Sequence, residues 1–98
     1  MNITVEELQK MILNNDDFLL LDVRTSEEYE DANMGGVLIP LFDLPQRFGE
    51  LDKNKCIIIH CRSGGRSYEA TQFLTSQGFV SVYNLVGGIF AWERKIPL

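Results

Sequence analysis

The amino-acid sequence predicts an α/β fold in which a parallel β-sheet carries helices on both faces. Short apolar runs alternate along the chain with segments of helical spacing, and the links between them are short. The clearest apolar run, Cys56–His60, is β-branched and uninterrupted, as expected of a central strand. Right-handed crossovers between parallel strands then place helices on both sides of the sheet. A chain of 98 residues has room for one domain, spanning residues 1–98.

Local signals define the individual elements. Two capping boxes, Thr4–Glu7 and Thr25–Glu28, mark helix starts, and Gly78 is well placed to end a later helix. Continuous apolar runs indicate strands that are covered on both faces. In chain order the predicted elements are a helix from Val5 to about Leu13, a strand over Phe18–Val23, a short helix after Thr25, a strand over Val37–Pro40, a helix over Leu41–Leu51, the central strand Cys56–His60, a helix from about Arg66 to Gln77, a strand over Val80–Leu85 and a closing helix over Ile89–Lys95 that buries Trp92.

Composition and charge exclude several classes of function. An apolar fraction of 45% and a charged fraction of 23% are typical of a globular protein, and the longest apolar runs are too short to span a membrane. A net charge of −5 argues against general binding to nucleic acid or anionic lipid. The first residues lack the basic and apolar regions of a secretory signal, so a cytoplasmic location is expected.

The two cysteines are predicted to be free thiols. Cys56 and Cys61 lie about 16 Å apart if the segment between them is extended, whereas a disulfide needs Cα atoms within about 7 Å. Two cysteines and one histidine also make a poor ligand set for a structural metal, and no metal site is expected. Cys56 is therefore interpreted as a small core residue, and the pattern indicates a reducing compartment.

The segment Cys61 to Arg66, called the Cys61 loop below, is predicted to carry the chemistry. It follows the carboxyl end of the central strand, where parallel sheets bind ligands. Unpaired N–H groups at the start of the next helix favour a thiolate, and Arg62 and Arg66 add positive charge. Gly64 and Gly65 allow successive N–H groups to turn inward into an anion-binding nest.

Three segments resemble the signatures of the rhodanese family: Leu20–Arg24 (LLDVR), Cys61–Ser67 (CRSGGRS) and Gly87–Trp92 (GGIFAW). The resemblance covers essentially the whole chain and implies a rhodanese-like fold. That fold is a five-stranded parallel sheet wrapped by helices, with an additional short strand around Asn2–Ile3. The chain departs from the family at Asn33–Val37, where the family usually has His-Ile-Pro-Gly-Ala, and this departure bears on the local turn rather than on the chemistry.

The resemblance also implies a sulfurtransferase in which Cys61 is the catalytic residue. Cys61 would take sulfane sulfur from thiosulfate or another persulfide donor and hold it as a persulfide. The acceptor would be cyanide, a small thiol, thioredoxin or another protein thiol, and no cofactor is implied. Arg66 is the preferred ligand for the donor, because Arg62 could equally face a partner protein. The loop residues expected to bind the substrate are Arg62, Ser63, Gly64, Gly65, Arg66 and Ser67.

Other polar residues near the loop are expected to be structural. His60 should point to the opposite face of the strand from the catalytic thiol. Asp22 and Arg24 should form an ion pair or hydrogen bonds that secure the loop. Gly87–Gly88 is expected to form a turn, and the acidic run Glu27–Asp31 a solvated helix face.

Three alternative functions remain compatible with this pattern. A phosphatase or arsenate reductase on the related fold has five residues between its cysteine and arginine. Here four residues separate Cys61 from Arg66, and the smaller loop suits one sulfur atom better than a phosphate. The second alternative is a non-catalytic rhodanese-like binding module, although such modules commonly lack the cysteine. The third is a sulfur-relay protein that takes its sulfur from a protein persulfide.

Overall fold

A five-stranded parallel sheet runs through the computed structural model, which describes residues 1–96. Its strands are β1 (Asn2–Ile3), β2 (Leu19–Asp22), β3 (Val37–Leu38), β4 (Ile57–His60) and β5 (Val82–Leu85). The helices are α1 (Val5–Leu13), α2 (Ser26–Asp31), α3 (Leu44–Arg47), α4 (Gly65–Ser76) and α5 (Gly88–Lys95). The strand order β1-β5-β4-β2-β3 confirms the predicted fold class and places β4 in the centre of the sheet. In the described part of the chain, no helix is long and apolar enough to cross a membrane.

The core lies on both faces of the sheet, because successive strand residues point to opposite sides. One face of the sheet packs against α3 and α4, and the other packs against α1 and α5. The buried residues of the first face are Leu21, Val23, Ile39, Leu44, Leu51, Ile57, Ile59, Cys61, Ala70, Leu74, Phe79 and Val82. Those of the second face are Ile3, Val5, Leu8, Ile58, Leu85 and Trp92. The buried indole of Trp92 agrees with the closing helix that the sequence predicts.

The prediction of one helix over Leu41–Leu51 is wrong, because this segment forms three short pieces. A 3₁₀ turn at Leu41–Asp43 leads into the four-residue α3, and a second 3₁₀ turn follows at Phe48–Glu50. Pro45 lies in the first turn of α3, where its missing N–H group is tolerated, and it therefore favours a new helix start there. Gly49 is a poor helix former, which favours an end to the helix soon afterwards.

The turn that departs from the rhodanese pattern is held by side-chain hydrogen bonds. The Asn33 side chain donates to the carbonyl of Tyr29 at 3.0 Å and accepts from the N–H group of Gly35 at 2.9 Å. The Tyr29 hydroxyl donates to the carbonyl of Gly36 at 2.8 Å. These bonds connect α2 to β3 without the proline that the family usually has at this point.

Candidate active site

The Cys61 side chain is buried, and two polar groups contact its sulfur. It follows β4 directly, lies on the sheet face that packs against α4, and is 1% exposed. The Gly64 N–H group donates a hydrogen bond to Cys61 Sγ at 3.1 Å. Ser67 Oγ lies 3.4 Å from the same sulfur. The buried sulfur therefore has two polar neighbours, and one of them, the Gly64 N–H group, donates a hydrogen bond to it.

These hydrogen bonds decide the ionisation of Cys61. Burial alone raises the pKa of the thiol, since a low-dielectric environment disfavours the charged form. The Ser67 hydroxyl and the N–H groups of Ser67, Gly64 and Ser63 outweigh that effect, so the pKa of Cys61 lies below its ordinary value. The loop therefore favours the thiolate, which is the nucleophilic form of cysteine.

The remaining residues of the loop form a turn that leads into α4. Arg62 and Ser63 are exposed, while Ser67 is buried in the first turn of the helix. Gly64 has a φ of +121°, a conformation that L side chains rarely adopt, and Gly65 begins α4. The conformation of Gly64 lets its N–H group turn back toward the cysteine.

The start of α5 holds the Cys61 loop from the other side. The N–H group of Ile89 donates to the carbonyl of Cys61 at 2.9 Å, and that of Phe90 donates to the carbonyl of Arg62 at 3.0 Å. A Cβ atom at Gly88 would lie only 2.6 Å from the Arg62 carbonyl oxygen, and Gly88 also has a positive φ of 58°. The Gly87–Gly88 turn therefore allows the backbone at the start of α5 to approach the backbone of the Cys61 loop closely.

Arg66 forms a bidentate ion pair with Glu28, which the sequence analysis did not foresee. Arg66 Nη1 lies 2.7 Å from Glu28 Oε1, and Arg66 Nη2 lies 2.9 Å from Glu28 Oε2. The Arg66 hydrogen bond is the main reason why the pKa of Glu28 is lowered to about 2. The acidic run on α2 is therefore not simply a solvated face. The pair joins α2 to the Cys61 loop. It also engages the guanidinium of Arg66, which the sequence analysis expected to bind the sulfur donor.

Arg62 is the other cation of the loop. Its side chain is exposed and, among residues 1–96, forms no ion pair. It lines a small surface cavity, whose other charged residues are Arg24, Glu28, Asp31 and Glu93. Of the two loop arginines, Arg62 thus has the guanidinium that is open to an incoming anion.

Asp22 and Arg24 form a buried ion pair next to α2. Arg24 Nη2 lies 2.8 Å from Asp22 Oδ2 and donates to the carbonyl of Ala32 at 2.8 Å. The expected pair between Asp22 and Arg24 is present, but it ties the end of β2 to α2. It supports the Cys61 loop only indirectly, because α2 in turn holds Arg66 through Glu28.

His60 is fully buried next to this ion pair. Its Nδ1 atom lies 3.5 Å from the backbone oxygen of Cys61, and its Nε2 atom lies 3.7 Å from Asp22 Oδ2. Burial lowers the pKa of His60, which favours the neutral ring despite the nearby carboxylate. The ring approaches the Cys61 backbone and not the sulfur, as expected for a residue on the opposite face of the strand.

Asn84 on β5 is a site residue that the sequence analysis missed. Its side-chain oxygen Oδ1 accepts a hydrogen bond from the Ser67 hydroxyl at 2.5 Å, and both residues are buried. The one available signal was a polar amide within the buried strand Val82–Leu85, but nothing local links it to a residue 17 positions earlier. Asn84 therefore belongs to the surroundings of Cys61 through Ser67.

Cys56 takes no part in this site. Both cysteines are free thiols, and Cys56 is half-buried at the other end of β4. Within residues 1–96, no group of three or more His, Cys, Asp or Glu side chains is placed to hold a metal ion.

Known proteins share this arrangement of sequence and fold. A family model described as a rhodanese-like domain matches residues 4–95. A protein of Allochromatium vinosum named sulfurtransferase is 40% identical over 90 residues, which make up 91% of this chain and 84% of that protein. A protein of Coxiella burnetii named thiosulfate sulfurtransferase GlpE is 32% identical over 82 residues, which make up 83% of this chain and 77% of that protein.

Solved structures agree with the sequence relatives. The crystal structure of a rhodanese-like domain protein from Staphylococcus aureus superposes with a TM-score of 0.86 at 32% identity. The superposition covers 94% of this chain and 91% of that one.

Proposed function

The chain belongs to the rhodanese-like domain family, and on that basis we propose that it is a sulfurtransferase that carries sulfane sulfur on Cys61. Relatives named sulfurtransferase support the general activity and favour it over the sulfur-relay alternative. The observation that carries the proposal is the hydrogen bond from the Gly64 N–H group to Cys61 Sγ at 3.1 Å. A donor aimed at a buried sulfur stabilises an anion there, and a nucleophilic thiolate is what the first chemical step requires.

The first step is an attack by the Cys61 thiolate on the outer sulfur of thiosulfate. A bond forms between Sγ and that sulfur, the sulfur–sulfur bond of thiosulfate breaks, and sulfite leaves with the bonding electrons. The enzyme then holds a persulfide anion on Cys61. Charge is conserved in this step, since the thiolate and the thiosulfate dianion become a persulfide anion and a sulfite dianion.

The second step regenerates the free enzyme. Cyanide or an acceptor thiolate attacks the terminal sulfur of the persulfide, the bond between Sγ and that sulfur breaks, and the Cys61 thiolate leaves. Cyanide thereby becomes thiocyanate, and a thiol becomes a new persulfide. The N–H groups that stabilise the Cys61 thiolate also stabilise it as the leaving group, because the same negative charge returns to the same atom.

The thiosulfate donor is a dianion, and we propose Arg62 as the side chain that attracts it. The guanidinium of Arg62 is exposed at the cavity beside the loop, whereas that of Arg66 is held by two hydrogen bonds to Glu28. Arg66 then acts by fixing the loop against α2. The relative named thiosulfate sulfurtransferase supports thiosulfate as the donor.

The acceptor we propose is a thiol, either a small molecule or an exposed protein thiol such as that of thioredoxin. Attack requires only that the terminal sulfur of the persulfide is reachable from the loop. The two free cysteines suit a reducing compartment, and we propose the cytoplasm as the location on this ground.

Turnover with thiosulfate and cyanide tests the proposed activity. The wild-type protein is expected to produce thiocyanate, Cys61→Ser to produce none, and the matched variant Cys56→Ser to keep the wild-type rate. Cys56 is a suitable control because it is the other free thiol and lies outside the site. A Cys61→Ser protein that still forms thiocyanate at the wild-type rate would contradict the mechanism.

A further inference from the structure

An apolar cavity opens beside the Cys61 loop. It has a volume of about 400 Å³ and extends to Arg66, the last residue of that loop. The apolar part of its lining comes from the end of β2 and from the segment that follows β3, and consists of Val23, Pro40, Leu41 and Phe42. The Leu41 N–H group donates to the carbonyl of Val23 at 3.0 Å, which joins these two segments.

Val23 places this cavity next to Cys61. Asp22 on β2 lies level with His60 on β4, so Val23 and Cys61 follow side by side at the ends of neighbouring strands. Adjacent strands are about 4.8 Å apart. Both side chains belong to the same buried cluster and therefore point to the same face of the sheet. The floor of the cavity thus lies about one strand spacing from the backbone of the reactive cysteine.

Phe42 forms the exposed rim of the cavity. It lies in the 3₁₀ turn Leu41–Asp43 and is 91% exposed, and no other large apolar residue within residues 1–96 is more exposed. Contact between this ring and a second apolar group removes apolar surface from water, which is favourable. An apolar group that enters the cavity is therefore stabilised by Phe42.

The charged residues of the lining are already paired. Arg24 lies 2.8 Å from Asp22, and Arg66 lies 2.7 Å from Glu28. An anion would have to break one of these pairs to bind here, whereas the cavity on the side of α5 offers the exposed Arg62. The apolar cavity consequently suits a neutral, apolar group better than a dianion such as thiosulfate.

From this geometry we infer that the cavity is an acceptor subsite, which selects peptidic thiols whose cysteine has an apolar neighbour such as leucine. Phe42 is its specificity-determining residue. The inference rests on the proposed function and deepens it, since it names the class of acceptor. In the transfer step the acceptor thiolate attacks the terminal sulfur of the Cys61 persulfide while the apolar neighbour occupies the cavity. The bond from Sγ to that sulfur breaks, the Cys61 thiolate is restored, and the acceptor cysteine becomes a persulfide.

Sulfur transfer to three short peptides tests the inference. The protein is loaded with thiosulfate and freed of the excess, and its mass is checked for one added sulfur atom. The acceptors are the N-acetylated, amidated tripeptides Leu-Cys-Leu, Gly-Cys-Gly and Asp-Cys-Asp. Each rate constant is divided by that of the same peptide with a small aromatic disulfide, which corrects for differences in thiol acidity.

We expect Leu-Cys-Leu to accept sulfur about tenfold faster than Gly-Cys-Gly, because a leucine side chain is partly buried in the cavity. Asp-Cys-Asp should be no faster than Gly-Cys-Gly. In Phe42→Ser the advantage of Leu-Cys-Leu should fall below about threefold. The control Leu13→Ser, which removes an exposed apolar side chain from α1, should keep the advantage. Equal rates for Leu-Cys-Leu and Gly-Cys-Gly, a preference for Asp-Cys-Asp, or an unchanged advantage in Phe42→Ser would overturn the inference.

A binding measurement decides the case if the protein does not load or Phe42→Ser does not fold. The probe is the unreactive peptide Leu-Ser-Leu at millimolar concentration, added to unloaded wild-type protein labelled with ¹⁵N. We expect it to shift the backbone N–H signals of Leu41, Phe42 and Arg66, and Gly-Ser-Gly to leave them in place. Signals that respond equally to both peptides, or to neither, would overturn the inference.

The two measurements keep the subsite apart from the proposed sulfur transfer. Protein that gains no sulfur from thiosulfate but binds Leu-Ser-Leu at the cavity refutes only the proposed function. Protein that loads sulfur and passes it at equal rates to all three cysteine peptides refutes only the subsite.

Discussion

Replacement of Glu28 by glutamine is expected to destabilise the protein, because it removes the charge that pairs with Arg66. Glutamine keeps the shape of the side chain and one acceptor oxygen, so the capping bond from the Thr25 N–H group at 3.1 Å can survive. What is lost is the charge-assisted, bidentate bond to the guanidinium. Since this pair joins α2 to the Cys61 loop, the change also loosens the loop.

The size of the effect follows from the ionisation of Glu28. Its pKa is lowered from 4.5 to about 2, mainly by the hydrogen bonds from Arg66. At about 1.4 kcal/mol per pKa unit this corresponds to at most about 3.5 kcal/mol of stability. The side chains are 29% and 36% exposed, so solvent screening reduces the expected loss to about 1–2 kcal/mol.

The pH dependence has a definite sign. Because the folded protein holds the Glu28 proton less tightly than the unfolded chain does, the contribution of the pair is fully present above pH 4.5. It is lost as the pH falls toward about 2. The difference in stability between wild type and Glu28→Gln is therefore expected to shrink between pH 5 and about pH 3.

Urea unfolding followed by circular dichroism measures this difference at each pH. Glu30→Gln is the matched control, since it makes the same charge change on an exposed residue of α2 and should alter stability by less than about 0.5 kcal/mol. Equal stability of Glu28→Gln and wild type at pH 7 would refute the reasoning. So would a loss that stays constant from pH 7 to pH 3.

Three further perturbations test other parts of the site. Arg62→Ala is expected to raise the KM for thiosulfate about fivefold, since an exposed charge contributes about 1 kcal/mol, while Arg47→Ala leaves it unchanged. An equal rise for an uncharged persulfide donor would argue against charge attraction by Arg62. Gly88→Ala is expected to lower the free energy of unfolding in urea by about 1–3 kcal/mol, because the new Cβ atom would meet the carbonyl groups of the Cys61 loop at a residue with positive φ. Gly49→Ala is the control, since a Cβ atom there meets open space. Similar losses of stability in both variants would contradict this prediction. Burial lowers the pKa of His60 from its ordinary value of 6.5. As the pH falls just below 6.5, His60 is therefore protonated in the unfolded chain but not in the folded protein. The free energy of unfolding should decrease in this range by up to about 1.4 kcal/mol per pH unit. His60→Gln should lack this slope between pH 6.5 and 5.5, and an identical slope in both proteins would show that another group is responsible.

Local signals in the sequence were sufficient to predict most of the fold. The capping boxes at Thr4 and Thr25 are both formed, with reciprocal bonds to Glu7 and Glu28, because they depend on residues three positions apart. The β-branched run before Cys61 identified the central strand for a similar reason, since strand formation and burial both favour such residues. The position of Cys61 at the end of β4 followed from that strand.

Contacts between distant segments could not be predicted in the same way. Arg66 and Glu28 are 38 positions apart, and Ser67 and Asn84 are 17 positions apart. Their pairing depends on how the helices and strands pack against one another, and residue spacing along the chain does not carry that information. The broken helix after Leu41 is a different case, because Pro45 is a local signal that a prediction from apolar spacing alone does not include.

The central claim is that Cys61 takes up one sulfur atom, and the mass of the intact protein after incubation with thiosulfate measures this directly. We expect wild type and Cys56→Ser each to gain the mass of one sulfur atom, a reducing thiol to remove it, and Cys61→Ser to gain nothing. An unchanged mass in the wild-type protein, or the same gain in Cys61→Ser, would contradict the account.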